Sequence, residues 1–154
     1  MAELITKRDG AVATILFSNL PKMNAVTYDM WRAVPETVAA LDADPAVRVI
    51  IVSGDGDKAF ISGADISQFE KLRGTADAQA QYNAAVEAGY LAPMRCSKPV
   101  VARIRGICMG GGLGFAAACD FRFCSDDSTF RMPAARLGLG YGVNGMRRFI
   151  NVIG

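Results

Sequence analysis

Apolar and polar positions along the chain divide it into alternating strand-like and helix-like stretches. Leu4 to Arg8 and Ala13 to Phe17 are β-rich, and Asp9-Gly10 between them predicts a hairpin turn. Ser18 to Asn24, which contains Pro21, reads as a loop. Thr27 is placed to N-cap a helix running to about Leu41, with Met30, Val34, Val38 and Leu41 on one face at spacings of four, four and three. Pro35 is expected to interrupt and kink that helix, because it lacks a donor and crowds the carbonyl of Trp31. Val47 to Val52 is β-branched and almost wholly apolar, as in a strand covered on both faces, and Gly54-Asp55-Gly56 closes it.

A loop then runs through Gly63, with a short helix starting near Asp65 and a longer one over about Thr75 to Leu91 that keeps Tyr82, Val86 and Tyr90 in register. Pro93 and Pro99 bracket its exit. Val100 to Ile104 reads as another buried strand, and the glycine triplet after it opens a small-residue helix ending near Ala118. Phe121 to Cys124 and Thr129 to Arg131 read as short strands joined by a turn over Ser125 to Ser128. Gly138 to Gly142 is a loop, and a last amphipathic helix begins near Val143. This alternation predicts an α/β fold, with no internal repeat or low-complexity tract. The apolar face of the last helix has nothing after it to pack against, so the chain is expected to be a C-terminally truncated or partly ordered product.

Composition narrows the chemistry. With 154 residues, 51% of them hydrophobic and 21% charged, and a mean hydropathy of +0.21, the chain can build one core and is not of disordered composition. The net charge of +2 comes from 17 basic and 15 acidic residues with no basic block, so no nucleic-acid groove is expected. Histidine is absent, which removes imidazole bases, Ser-His and Cys-His nucleophile pairs and histidine-ligated metals. The start at Met1-Ala2-Glu3-Leu4 has no signal-peptide pattern. The longest stretch without a charged or polar side chain, Gly106 to Cys119, is shorter than the roughly 20 residues a membrane helix needs. Cys96, Cys108, Cys119 and Cys124 have no CxxC spacing and are expected to be buried, reduced thiols of a cytoplasmic protein without a bound metal.

Two glycine clusters invite an anion-binding reading. Gly140-Tyr141-Gly142-Val143-Asn144-Gly145 matches G-x-G-x-x-G, but no strand precedes it and no acidic residue follows at the required distance, so it reads as a flexible entry to a helix. Gly110-Gly111-Gly112 follows a strand and opens a helix, where unpaired amides carry the positive end of the dipole. It could hold an oxyanion, or merely allow close packing; this segment alone leaves both open. Ala59-Phe60-Ile61-Ser62-Gly63-Ala64-Asp65 is a second loop leading to a helix start, where Asp65 taken alone is an N-cap.

Together these segments resemble the crotonase, or enoyl-CoA hydratase/isomerase, superfamily. Lys58 to Ile66 is similar to its first oxyanion loop, and Lys98 to Ala102 followed by Gly106 to Gly112 and Ala118-Cys119-Asp120 to its second. Phe130, Pro133, Leu137-Gly138-Leu139, Gly142, Gly145 and Arg148 resemble the segment after that, and Pro21-Lys22 with Asn24-Ala25 an early coenzyme A loop. The resemblance covers essentially the whole chain. It implies one crotonase core domain over residues 1–154, a spiral of ββα units related to the ClpP/crotonase fold, lacking the family's C-terminal helical region. It also implies an acyl-CoA thioester substrate with no further cofactor, a homo-trimer or hexamer, and neither nucleic-acid nor membrane partners. By position, the oxyanion hole falls to the amides of Ala64 and Gly111. Coenzyme A contacts fall to Lys22, Met23 and Asn24 and to Ala64, Asp65, Ile66 and Ser67, beside Gly111.

The chain departs from the family where hydratases use two glutamates to activate water. Counting without gaps, those positions are Gly114 and Ala134, and the proline of the later loop is replaced by Tyr141. General acid–base groups contribute about 10²–10⁴-fold, so fast hydration is not expected. Three readings follow: an enzyme of altered chemistry with Tyr141 or Arg136 as proton carrier, a weak hydratase relying on the oxyanion hole alone, or a non-catalytic acyl-CoA-binding protein.

Overall fold

A computed structural model describes residues 2–69, 74–138 and 140–154; Met1 and Leu139, named in the sequence motifs, lie outside the described residues. Four strand–strand–helix units follow one another. They are β1 (Glu3–Asp9), β2 (Val12–Ser18) and α1 (Tyr28–Ala43); β3 (Val49–Gly54), β4 (Ala59–Ile61) and α2 (Ala76–Arg95); β5 (Val100–Ile104), β6 (Ile107–Met109) and α3 (Gly111–Ala118); and β7 (Phe121–Cys124), β8 (Thr129–Arg131) and α4 (Val143–Ile153). The first strands join β2 in a five-stranded sheet of order β1-β2-β3-β5-β7, parallel except for the β1–β2 hairpin. The second strands form a separate parallel sheet, β4-β6-β8. Thus β7 and β8, only a short turn apart in sequence, belong to different sheets.

Local signals account for several boundaries. The Thr27 hydroxyl accepts from Met30 N at 3.3 Å, as expected of that cap, and the Thr75 hydroxyl accepts from Ala78 N at 3.2 Å, a cap at the expected start of the second long helix. The hairpin turn is shifted one residue, to Gly10-Ala11, with Gly10 at φ +55°. Neither proline ends a helix: α1 continues through Pro35, and α2 continues through Pro93 to Arg95. Each helix retains its other backbone bonds and a packed face, which outweigh a single missing donor.

The core lies between the large sheet and the helices. Val47, Ile50 and Val52 are fully buried on the central strand β3 and its approach, as their β-branched pattern requires. Trp31 on α1 packs edge-on against Phe17 and Tyr90, with ring centroids 6.5 and 5.2 Å apart. The chain crosses from one sheet to the other at two crowded glycines. A Cβ on Gly54 would lie 2.0 Å from the Ala59 carbonyl oxygen, and one on Gly106, at φ +59°, would lie 2.1 Å from the Lys58 carbonyl oxygen.

The cysteine expectation is corrected in part. Cys108 and Cys119 are buried thiols whose pKa is pushed up to about 12 by desolvation, but Cys96 is half-buried and Cys124 is exposed. Cys124 ends β7, an edge strand whose every residue is exposed. All four are free. Among the described residues, no helix is long and apolar enough to cross a membrane, and no His/Cys/Asp/Glu group could hold a metal.

Candidate active site

The first loop holds Ala64 by its neighbours. Val26 N donates to the Gly63 carbonyl at 2.8 Å, and Asp65 N donates to the Val26 carbonyl at 2.9 Å. This is a parallel bridge centred on Ala64, and in such a bridge the central residue's own N–H points off the ladder. Gly63, at φ +123°, supplies the turn that carries the chain into it. The second amide belongs to Gly111, the first residue of α3, where helix geometry leaves the N–H without an intrahelical acceptor. Gly110 before it is at φ +51° and donates its own N–H to the Arg131 carbonyl at 2.9 Å, tying the turn to β8. Ala64 and Gly111 line one cavity of about 670 Å³.

Helix α2 forms one wall of that cavity with Tyr82, Val86 and Tyr90, the register expected from the sequence. The Tyr90 hydroxyl donates to the Gly111 carbonyl at 3.3 Å. Beside it stands Tyr141, from the loop before α4, whose buried hydroxyl makes no well-aligned hydrogen bond but lies against the Tyr90 hydroxyl. The two phenols lie close enough that each affects the other's ionisation. Burial holds Tyr90 well above the usual tyrosine range, with Tyr141 adding to the effect, and burial also raises Tyr141. Both are therefore neutral proton donors at pH 7.

Tyr141 stands in the space that Gly114 leaves open. A Cβ on Gly114 would lie 2.3 Å from the Tyr141 Oη and 2.9 Å from the Tyr90 Oη. A Cβ on Gly145 would lie 2.4 Å from the Tyr141 ring. Two glycines on α3 and α4 thus make room for one phenol. Ala134 also lines the cavity. Arg136, the other suggested proton carrier, is exposed on the 3₁₀ turn Ala134–Leu137 and does not line it.

The residues assigned to coenzyme A divide by role. Lys22 Nζ donates to both Asp65 carboxylate oxygens, at 2.9 and 2.8 Å, and to the Ser67 hydroxyl at 2.7 Å, clamping the early loop to the loop that carries Ala64. Asp65 caps the 3₁₀ turn Ile66–Gln68 by accepting from Ser67 N at 3.1 Å, the plainer role its sequence predicted. Burial pushes its carboxyl up, but the hydrogen bonds from Lys22 and Ser67 outweigh this and hold it below the usual range. Asn24 is buried, and its side chain is fully engaged: Nδ2 donates to the carbonyls of Asp55 and Ala59, and Oδ1 accepts from Asn19 N. That makes it a loop fastener, with no free polar atom for a ligand. Met23 and Ile66 are exposed, and Ile66 borders the cavity.

Sequence reasoning missed the pair formed by Glu87 on α2 and Arg148 on α4. Arg148 Nη2 lies 3.1 Å from Glu87 Oε2, and its guanidinium stacks 5.0 Å from the centre of the Tyr90 ring. Glu87 falls one turn before Tyr90, and nothing in its local pattern marked it.

A chain of ββα units that brings two free amides from successive β-to-helix turns to one apolar-walled cavity is a crotonase-fold protein. Residues 7–154 match the enoyl-CoA hydratase/isomerase family model, and the chain belongs to that family. It is 34% identical over 141 residues to crotonyl-CoA hydratase of Syntrophomonas wolfei, covering 91% of this chain and 54% of that protein. It is 31% identical over 163 residues to a peroxisomal Δ(3,5)-Δ(2,4)-dienoyl-CoA isomerase of Arabidopsis thaliana, covering 99% of this chain and 58% of the isomerase. The crystal structure of an enoyl-CoA hydratase/carnithine racemase from Magnetospirillum magneticum superposes with a TM-score of 0.95 at 32% identity, covering all of this chain and 58% of that one. The chain therefore spans little more than half the length of each of these three proteins.

Proposed function

We propose that this protein processes acyl-CoA thioesters by stabilising a thioester enolate between the backbone amides of Ala64 and Gly111. The observation that carries this reading is that both amides, each left without a ladder or helix acceptor, line the same cavity. A fixed donor aimed at a developing oxyanion is worth about 3–4 kcal/mol of barrier, and the helix behind Gly111 adds the positive end of its dipole. The thioester oxygen accepts from both amides, the acyl group lies along Tyr82, Val86 and Tyr90, and the coenzyme leaves past Met23 and the Ala64–Ser67 edge. In this scheme Lys22 shapes that edge through Asp65, and Asn24 holds the loop beneath it.

The reaction differs from glutamate-assisted hydration. Gly114 and Ala134 carry no carboxylate, and the Tyr141 phenol fills the first of those sites as a neutral proton donor. Tyr141 is thus the proton carrier this reading favours over Arg136, and enolate chemistry of the isomerase kind fits better than addition of water. A non-catalytic acyl-CoA-binding role is the second reading, favoured by the same missing carboxylates. The reading also includes a cytoplasmic location, which suits four free cysteines, and a homo-trimer or hexamer. Phe121, Phe123, Val143, Ile150 and Ile153 are exposed apolar side chains of the kind that self-association would cover.

Calorimetric titration with acetoacetyl-CoA, whose enolate carries the charge the site would hold, is the test. Binding at least tenfold tighter than free coenzyme A is expected; equal affinities would refute the oxyanion reading. Turnover of a panel of enoyl-CoA and acyl-CoA thioesters then separates the two readings, since a pure binder leaves them all intact.

A further inference from the structure

We propose that Glu87 is the base that removes the α-proton of the bound thioester. This rests on the enolate reading above and supplies the proton acceptor it lacks. Glu87 is the single carboxylate among the described residues that line the cavity. The other carboxylate near the first amide, Asp65, is buried and bound on both oxygens by Lys22. Tyr90 and Tyr141, held neutral by burial, are proton donors.

Glu87 is held in a way that leaves one oxygen free to act. Oε2 is fixed by Arg148, itself only 8% exposed, while Oε1 meets only a long contact of 3.4 Å from Asn144 Nδ2. Arg148 is in turn anchored by Tyr90 and by Met94, whose sulfur lies 3.8 Å from Nη1. The carboxylate is therefore oriented from α4, one helical turn from the hydroxyl that touches Gly111. Tyr141, the proposed donor, lines the same cavity.

The step balances without a co-reactant. The Cα–H bond breaks, and its proton forms an O–H bond on Glu87 Oε1. The electron pair becomes the Cα=C bond of the enolate, and the negative charge passes to the thioester oxygen between the Ala64 and Gly111 amides. Return of a proton to the same carbon regenerates substrate, and its delivery to a conjugated carbon moves the double bond.

Deuterium incorporation at Cα of butyryl-CoA in heavy water, read by mass spectrometry, tests this directly. The wild-type protein is expected to exchange. Glu87→Gln, which still accepts a hydrogen bond from Arg148, is expected to keep its acetoacetyl-CoA affinity and lose exchange by about 10²–10⁴-fold. Should that variant fold poorly, Glu87→Asp keeps the charge for Arg148 but draws the oxygen back, and at least a tenfold loss is expected. Exchange within threefold of wild type in either folded variant overturns the proposal and leaves the oxyanion hole standing, as does a wild-type protein that binds acetoacetyl-CoA tightly and exchanges nothing. A wild-type protein that binds acetoacetyl-CoA no better than coenzyme A overturns the hole and the base together.

Discussion

Replacing Tyr141 by phenylalanine removes one oxygen atom, and the structure makes opposite demands on that atom in folding and in catalysis. In the folded chain the hydroxyl is buried with no well-aligned hydrogen bond and only the Tyr90 hydroxyl beside it, whereas in the unfolded chain water satisfies it. An unsatisfied buried hydroxyl costs about 1–3 kcal/mol. The neighbouring Tyr90 hydroxyl offsets part of this, so the lower end, about 1 kcal/mol, is the expected gain for Tyr141→Phe. For a domain of this size that corresponds to a melting temperature about 2–4 °C higher. The same substitution removes the nearer of the two phenols lying over Gly114, the proposed proton carrier, and turnover should fall by about 10²–10⁴-fold. Affinity for acetoacetyl-CoA, set by the two amides, should hold. Thermal unfolding followed by circular dichroism, with turnover on any thioester the wild type converts, reads both effects. A variant that melts lower and turns over normally would show that the hydroxyl is a satisfied structural group, and would refute the assignment.

Gly114→Ala should drive a methyl group into the two phenols and cost about 1–3 kcal/mol. That penalty should shrink in the Gly114→Ala/Tyr141→Phe double variant, and additive losses in a denaturant cycle would contradict the packing described. With an uncharged disulfide reagent under native conditions, Cys124 should react fast and Cys96 more slowly, while Cys108 and Cys119, pushed to about 12, should react only on unfolding. Rapid native labelling of all four would refute the burial described. The Lys22–Asp65 clamp should be acid-sensitive in one direction only. The Asp65 carboxyl is lowered from its ordinary 3.8, so its contribution is present above that value and is lost as pH falls through the lowered folded value. Urea midpoints measured from pH 6 down to pH 2 should therefore fall less steeply for Asp65→Asn than for the wild type, and parallel curves would contradict this.

The parts of this protein that the sequence determined by itself are those decided within a few residues. The Thr27 and Thr75 hydroxyls reach amides three positions on, so the starts of α1 and α2 are written locally. The β-branched run through Val52 and the spacing of Tyr82, Val86 and Tyr90 declare which positions are buried or face the site. The motif segments and their order along the chain carry the family resemblance that pointed to Ala64 and Gly111, and both line one cavity.

Tertiary structure decided the remainder. The three-residue strands β4 and β6 carry too little pattern to be seen alone, and exist because each finds a parallel partner. Pro35 and Pro93 remain inside helices because packing outweighs one lost hydrogen bond. Arg136 and Tyr141 were equal candidates on sequence distance, yet the chain turns one out to solvent and the other in against Gly114 and Gly145. Glu87 and Arg148 meet across 61 residues of sequence. Such a pair has no local signature, since charge and hydrogen bonding act through space and only the folded chain sets the distance between α2 and α4.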